Sequence, residues 1–156
     1  MTIINEIKDI LTNKNLTISV AESLTSGHLQ TQLSSVSGSS NYFEGGITAY
    51  SIEQKSKLLN VDYEHAKQVN CVSKQVAKEM AENISRLFNT DIGISTTGYS
   101  ESYGEIKEPF AHYAIYHNNI IKTGIIRAET DISRVSMQEH VANKVLEELV
   151  LYLKTL

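Results

Sequence analysis

A short apolar run that breaks abruptly into small polar residues limits the folds open to this chain. Residues 16–20 read Leu-Thr-Ile-Ser-Val, and residues 21–27, Ala-Glu-Ser-Leu-Thr-Ser-Gly, follow without a linker. Hydroxyl and glycine residues at such a break indicate a strand that turns directly into a helix. A helix start has unpaired N–H groups and a partial positive charge, so the bend can hold an anion. The bend also lets the Ser23 hydroxyl face a substrate, although a serine needs a base to become a nucleophile.

A second junction of the same kind follows residues 45–50, which have the pattern of a buried strand. Ser51 and Gln54 match a capping box, in which the first residue caps a helix and the fourth bonds back to it. Lys55 then falls in the first or second turn of that helix. A tyrosine, Tyr50, and a lysine are therefore expected near the carboxyl end of this strand.

Helical and strand-like patterns alternate along the whole chain. Helices are predicted from about residue 3 to 11, with Thr2 as cap, from 24 to 34, after Asp62, from 73 to 88 and from 131 to 152; strands are predicted at 16–20, 45–50, 91–96, 111–117 and 120–127. Asn118-Asn119 between the last two strands is typical of a tight hairpin. We predict an α/β fold, a single three-layer α/β/α domain over residues 1–156 with a mixed sheet.

Apolar spacing within the two long helices predicts which side chains are buried. The expected buried positions are Val76, Met80, Ile84 and Leu87 in the first, and Val135, Val141, Val145, Leu146, Leu149 and Leu153 in the second. Ligands of such folds collect at the carboxyl ends of the strands. Ser23, Tyr50 and Thr97 each fall at or just beyond one.

Composition excludes several classes of partner. The net charge of -4 and the lack of any basic run disfavour nucleic acid. The single cysteine, Cys71, can form neither an internal disulfide nor a thiolate cluster, and the scattered histidines lack metal-ligand spacing, so we expect no metal. No apolar stretch is long enough for a membrane span, and residues 1–6 lack the pattern of a signal peptide. We therefore expect a cytoplasmic protein.

Taken in order, these motifs resemble the C-terminal domain family of the competence/damage-inducible protein CinA. The resemblance covers nearly the whole chain. Its landmarks are Ala21-Glu22-Ser23-x-Thr25-x-Gly27, Gly38-Ser39-Ser40 with Phe43, Gly46-x-Thr48-x-Tyr50-Ser51-x-x-x-Lys55, Val72-Ser73, Thr97-Gly98, and Lys107 with Pro109. In larger members the domain follows one related to molybdopterin-binding proteins, and the family includes nicotinamide-nucleotide amidohydrolases.

The resemblance implies hydrolysis of the carboxamide of nicotinamide mononucleotide to nicotinate mononucleotide and ammonia. It implies Ser23 as the nucleophile and Lys55 as its base, with Tyr50 and Thr97 lining the same centre. Tyr50 would orient Lys55 or relay a proton to the departing ammonia. The implied substrate-binding residues are Thr25, Ser26, Gly27 and Gly98. The resemblance implies no cofactor, a small-molecule substrate and a homodimer.

The chain departs from the family in the stretch after Thr97-Gly98. The family continues with a glycine-rich turn, whereas residues 99–104 here read Tyr-Ser-Glu-Ser-Tyr-Gly. Side chains obstruct the close approach of backbone N–H groups to a phosphate, and an inward Glu101 would repel one. Two hypotheses therefore stay open: an active amidohydrolase, or a diverged member, weakly active or inactive, that binds a ligand or a partner. Ser23 and Thr25 have a simpler interpretation as helix caps, and Glu22 as an acceptor of backbone hydrogen bonds.

Overall fold

The computed structural model describes residues 1–128 and 131–156. In that part of the chain six α-helices and a short 3₁₀ helix accompany five strands. The helices are α1 (Ile3–Asn13), α2 (His28–Leu33), α3 (Ile52–Leu59), α4 (Tyr63–Gln68), α5 (Lys74–Phe88) and α6 (Arg134–Leu153), with the 3₁₀ turn at Ser39–Asn41; the strands are β1 (Ile18–Glu22), β2 (Phe43–Thr48), β3 (Ile92–Gly98), β4 (Phe110–His117) and β5 (Ile120–Arg127).

The five strands form one mixed sheet in the order β2-β1-β3-β4-β5. Strand β1 pairs in parallel with both β2 and β3, whereas β3, β4 and β5 pair antiparallel. The antiparallel part follows from the Asn118-Asn119 turn, where both residues have the positive φ that a tight hairpin requires. The predicted mixed sheet and hairpin are confirmed.

Helices cover both faces of the sheet, which confirms the three-layer α/β/α prediction. On one face α1, α2 and α6 bury a large apolar cluster against β1, β3 and β4, including Ile18, Ile94 and Leu146. On the other face α3, α4 and α5 bury a smaller cluster around Leu59 and Met80. The chain leaves β1 over the first face to reach β2 and returns to β3 over the second, so a crevice opens at the strand ends between β1 and β3.

Helix α5 lies unusually close to the sheet because the strand residues beneath it are small. A Cβ on Gly93 would overlap the Ala81 carbonyl and lie 2.9 Å from the Cβ of Ser85. The Ser95 hydroxyl donates to the carbonyl of Ala77, 2.5 Å away, in a buried position. This close packing holds the end of β3, and with it Thr97, in a defined place beside the crevice.

The structure corrects three details of the sequence prediction. Helix α2 begins at His28 rather than Leu24, because residues 24–27 form a turn. Leu87 and Val135 are 56% and 57% exposed, so neither belongs to the core to which the helical spacing assigned it.

No helix in the described part of the chain combines the length and apolarity needed to cross a membrane.

Candidate active site

The candidate site is a cavity of about 520 Å³ at the carboxyl ends of β1, β2 and β3. Ser23 follows β1 directly, Tyr50 follows β2, and Thr97 lies near the end of β3. All three line the cavity together with Lys55 from α3. Since parallel strands end at the same edge of a sheet, residues far apart in sequence meet here.

Ser23 and Lys55 form a direct hydrogen bond inside the protein. The Lys55 Nζ donates to the Ser23 Oγ at 2.9 Å and to the main-chain carbonyl of Tyr50, also at 2.9 Å. The Lys55 residue is 1% exposed and Ser23 is 7% exposed. Helix α3 holds the lysine there because the Ser51 hydroxyl caps its start, accepting the N–H of Gln54 at 3.2 Å.

Burial lowers the pKa of the Lys55 amine from its ordinary value, because a charged ammonium loses hydration in the protein interior. The neighbouring Cys71 acts in the opposite sense on the same pKa, since a thiolate there would favour the charged amine. Burial raises the pKa of the Cys71 thiol. A lowered pKa favours the neutral form of the amine, which a general base requires, and the hydrogen-bond partner of this amine is a serine hydroxyl.

The bend after β1 does not present an open helix start to an anion. The buried Glu22 carboxylate already accepts the N–H groups of Leu29 and Gln30, at 2.9 and 3.0 Å. A carboxylate at this position balances the positive end of α2 and satisfies two of its unpaired donors. Glu22 therefore occupies the start of α2 in place of an external anion, and the simpler interpretation of Glu22 as a backbone acceptor is confirmed.

Three residues expected to bind substrate lie outside the cavity lining: Thr25, Ser26 and Gly27. The Thr25 hydroxyl is buried against that of Thr96, 2.8 Å away. Ser26 is exposed at a positive φ, and Gly27 caps α2. None of the three faces the cavity, because the chain turns away from it immediately after Leu24. Nor is Ser23 or Thr25 the cap of α2, as the simpler interpretation had it.

Gly98 does line the cavity, but its lack of a side chain is explained by the sheet. An added Cβ would lie 2.5 Å from the Ala111 Cα and the Phe110 carbonyl oxygen. Thr97 lines the cavity too, and its hydroxyl donates to the Cys71 carbonyl at 2.6 Å. That bond ties the end of β3 to the segment before α5.

Tyr50 contacts Lys55 through its main chain, and its phenol contacts Arg134. The contact that positions Lys55 comes from the Tyr50 main-chain carbonyl. The phenol points to the cavity mouth, where its hydroxyl accepts a hydrogen bond from Arg134 at 3.1 Å, and the residue is 56% exposed. Of the two roles expected of Tyr50, the contact with Lys55 is made by the main chain and not by the phenol, and the proton relay stays a prediction.

Arg134 is the cavity residue that sequence reasoning missed. It is the first residue of α6, and its guanidinium bonds both Tyr50 and the Glu101 carboxylate, the latter at 2.7 Å. Tyr99 and Tyr103 line the same mouth, with ring centroids 5.8 Å apart. A lone arginine in a first helical turn, far from the other motifs, carries no local signal of this placement.

Residues 1–128 and 131–156 contain no group of three or more histidine, cysteine, aspartate or glutamate side chains that could hold a metal ion. The groups that the cavity presents for chemistry are instead a hydroxyl, an amine, carboxylates and phenols. A serine hydroxyl needs a nearby base to become a nucleophile, and the Lys55 amine lies within hydrogen-bond distance of the Ser23 hydroxyl.

Comparison with known proteins identifies the family. The sequence model of the CinA C-terminal domain matches residues 1–153, so the chain belongs to the CinA C-terminal domain family. The crystal structure of a competence or damage-inducible protein from Enterobacter asburiae superposes with a TM-score of 0.90 at 25% identity, covering 97% of this chain and 96% of that one.

Two curated relatives are named CinA-like proteins. The one from Flavobacterium psychrophilum is 47% identical over 89 residues, which is 57% of this chain and 21% of the relative. The one from Dictyoglomus thermophilum is 35% identical over 132 residues, or 83% of this chain and 32% of the relative. The chain thus matches only about a fifth to a third of the length of these relatives.

Proposed function

We propose that this chain is a serine–lysine amidohydrolase that hydrolyses the carboxamide of nicotinamide mononucleotide or a related amide. The observation that carries the proposal is the 2.9 Å contact between the Lys55 amine and the Ser23 hydroxyl in a buried site that opens into a cavity. Membership in the CinA C-terminal domain family supports the same reaction class.

In the proposed reaction, neutral Lys55 accepts the proton of the Ser23 hydroxyl as the oxygen attacks the amide carbon. The tetrahedral intermediate then collapses, the carbon–nitrogen bond breaks, and the proton passes from Lys55 to the departing ammonia. An ester on Ser23 remains. Water, deprotonated by Lys55, attacks that ester, and the carboxylate leaves while the proton returns to the serine oxygen.

One backbone group beside the serine is suited to stabilise the oxyanion of the intermediate. In the described ranges 1–128 and 131–156, the Leu24 N–H has no acceptor in the protein, and Leu24 lines the cavity. An unpaired N–H group next to a nucleophile can donate to the negative oxygen that forms in the transition state, where such a donor contributes several kcal/mol. We assign the Leu24 N–H this role.

The remaining groups hold the pair in position. The Tyr50 carbonyl accepts one proton of the Lys55 amine, which leaves the nitrogen directed at Ser23. Thr97 acts through the Cys71 carbonyl to keep the cavity wall in place.

The test is ammonia release from nicotinamide mononucleotide by purified protein beside the Ser23→Ala variant. Turnover that the wild type shows and Ser23→Ala lacks would support the proposal. The matched control is Ser26→Ala, because that serine is exposed and outside the cavity. Equal ammonia release by wild type and Ser23→Ala, from protein shown to be folded, would overturn the serine mechanism. No release from any amide would favour a diverged, ligand-binding member of the family.

A further inference from the structure

We propose that Glu101 determines specificity at this site by disfavouring a substrate phosphate, so that the preferred substrate is an aromatic nucleoside carboxamide without one. The inference rests on the proposed amidohydrolase function and names the substrate class of that same cavity. It is carried by the position of Glu101, by the charges around the cavity, and by the tyrosine rings at its mouth.

Glu101 is paired with Arg134, the cationic side chain that a phosphate would otherwise bind. Its carboxylate accepts a hydrogen bond from Arg134 at 2.7 Å, and both residues line the cavity. The second Arg134 nitrogen is bonded to the Tyr50 hydroxyl at 3.1 Å. An arginine fork binds a phosphate through two such nitrogens, and here each of them already donates one hydrogen bond within the protein.

The charges around the cavity provide no surplus of positive charge for a dianion. The charged side chains of the lining are Glu53, Lys55, Lys67, Glu101 and Arg134. Lys67 and Arg134 balance the two carboxylates, and Lys55 is the buried amine that must be neutral to act as a base. A phosphate dianion entering the cavity mouth would therefore meet charged side chains that balance one another, with the Glu101 carboxylate among them.

The backbone near Glu101 does not provide a phosphate site in place of the paired Arg134. A loop binds a phosphate through closely spaced backbone N–H groups, which the phosphate must be able to approach. Here Tyr99, Ser100 and Glu101 all carry side chains that obstruct this approach. The Tyr99 N–H is already engaged by the Phe110 carbonyl at 2.9 Å. The Tyr99 N–H is therefore not available to a phosphate.

The same mouth suits a flat, cationic ring. Tyr50 and Tyr103 are 56% and 62% exposed at the cavity, and Tyr99 stacks beside Tyr103. Exposed phenol faces attract cationic rings. A pyridinium nucleoside with a carboxamide has this chemistry, with its amide directed toward Ser23 and its sugar toward Glu101.

The experiment compares nicotinamide riboside with its 5′-phosphate, nicotinamide mononucleotide, so that the phosphate is the only difference between substrates. For wild type, Glu101→Gln and Glu105→Gln, the ratio of kcat/KM for the riboside to that for the nucleotide is measured. Glu105→Gln is the matched control, because this exposed glutamate belongs to the same loop and does not line the cavity.

We expect wild type to prefer the riboside and Glu101→Gln to reduce that ratio about tenfold, equivalent to about 1.4 kcal/mol. Glu105→Gln should leave the ratio unchanged. Raising the salt concentration should narrow the ratio in wild type, because the ion pair at the mouth is solvent-exposed. A wild-type preference for the nucleotide, or an equal ratio in wild type and Glu101→Gln, would overturn the proposal.

Binding calorimetry separates this proposal from the hydrolase mechanism. Ser23→Ala and the double variant Ser23→Ala/Glu101→Gln bind both ligands without turnover, so their dissociation constants report specificity directly. If no ammonia is released from either compound, the amidohydrolase proposal fails, and the ratio of dissociation constants still tests Glu101. Tighter binding of the riboside that Glu101→Gln abolishes would support the specificity proposal. Failure of both ligands to bind, or tighter binding of the nucleotide by Ser23→Ala, would overturn it.

Discussion

Replacing Lys55 by methionine should change how the stability of the protein depends on pH. Methionine has a similar length and no charge, so it fills the same buried position without the cost of ionisation. In the folded protein burial lowers the pKa of Lys55 from its ordinary value of 10.5, whereas the unfolded chain keeps that value. Between the two values the unfolded state binds one more proton than the folded state.

The sign and size of the effect follow from this proton difference. Within that interval the free energy of unfolding of wild type rises by about 1.4 kcal/mol per pH unit relative to Lys55→Met. Above 10.5 the wild type carries no ionisation penalty, and below the lowered pKa it carries the whole of it. The advantage of the methionine variant in stability should therefore grow as the pH falls below 10.5 and become constant below the lowered pKa, although the variant has lost the proposed base.

The assay is urea unfolding of wild type, Lys55→Met and Lys57→Met in steps from about pH 7 to about pH 11. Lys57 is an exposed lysine of the same helix, so its replacement should shift stability by an amount that does not vary with pH in this way. A difference between wild type and Lys55→Met that stays constant up to pH 10.5 would refute the reasoning. It would mean that the folded protein leaves the lysine with its ordinary pKa and no neutral amine near neutral pH.

Two further substitutions test the parts of the fold that hold the site. Glu22→Gln should lower the free energy of unfolding, measured in urea, by about 1–3 kcal/mol, because an amide cannot accept both N–H bonds from the start of α2. The control is Glu44→Gln, at an exposed position. Equal stability of the two variants would contradict the role assigned to Glu22. Gly93→Ala should cost about 3 kcal/mol or more, because its Cβ would overlap the Ala81 carbonyl and force α5 away from the sheet; a loss below about 1 kcal/mol in thermal or urea unfolding would show that α5 packs less closely.

The chemistry of the site depends on side chains brought from four separate segments. Ser23 comes from the bend after β1, Lys55 from α3, Thr97 from β3 and Arg134 from α6. The sheet places the first three at one edge, and α6 places the fourth across the mouth. This division explains why the sequence motifs around the first three were recognisable and the fourth was not.

Local sequence patterns were sufficient where the interactions are local. Thr2 caps α1 and Ser51 caps α3 through contacts three residues away, and Asn118-Asn119 turns the hairpin through its own backbone. These features follow from propensities that act within a few residues. The alternation of strands and helices likewise predicted the layered fold, since each element must bury an apolar face.

Tertiary packing decided the rest, because burial and charge depend on residues distant in the chain. Helix α2 begins at His28 instead of Leu24, and the Glu22 carboxylate accepts hydrogen bonds from its first N–H groups. The Thr25 hydroxyl contacts the Thr96 hydroxyl and does not line the cavity. The sequence by itself determined the strand-to-helix junctions that carry Ser23 and Lys55. Only the folded sheet brought that serine and lysine within 2.9 Å and removed the water that favours the protonated amine.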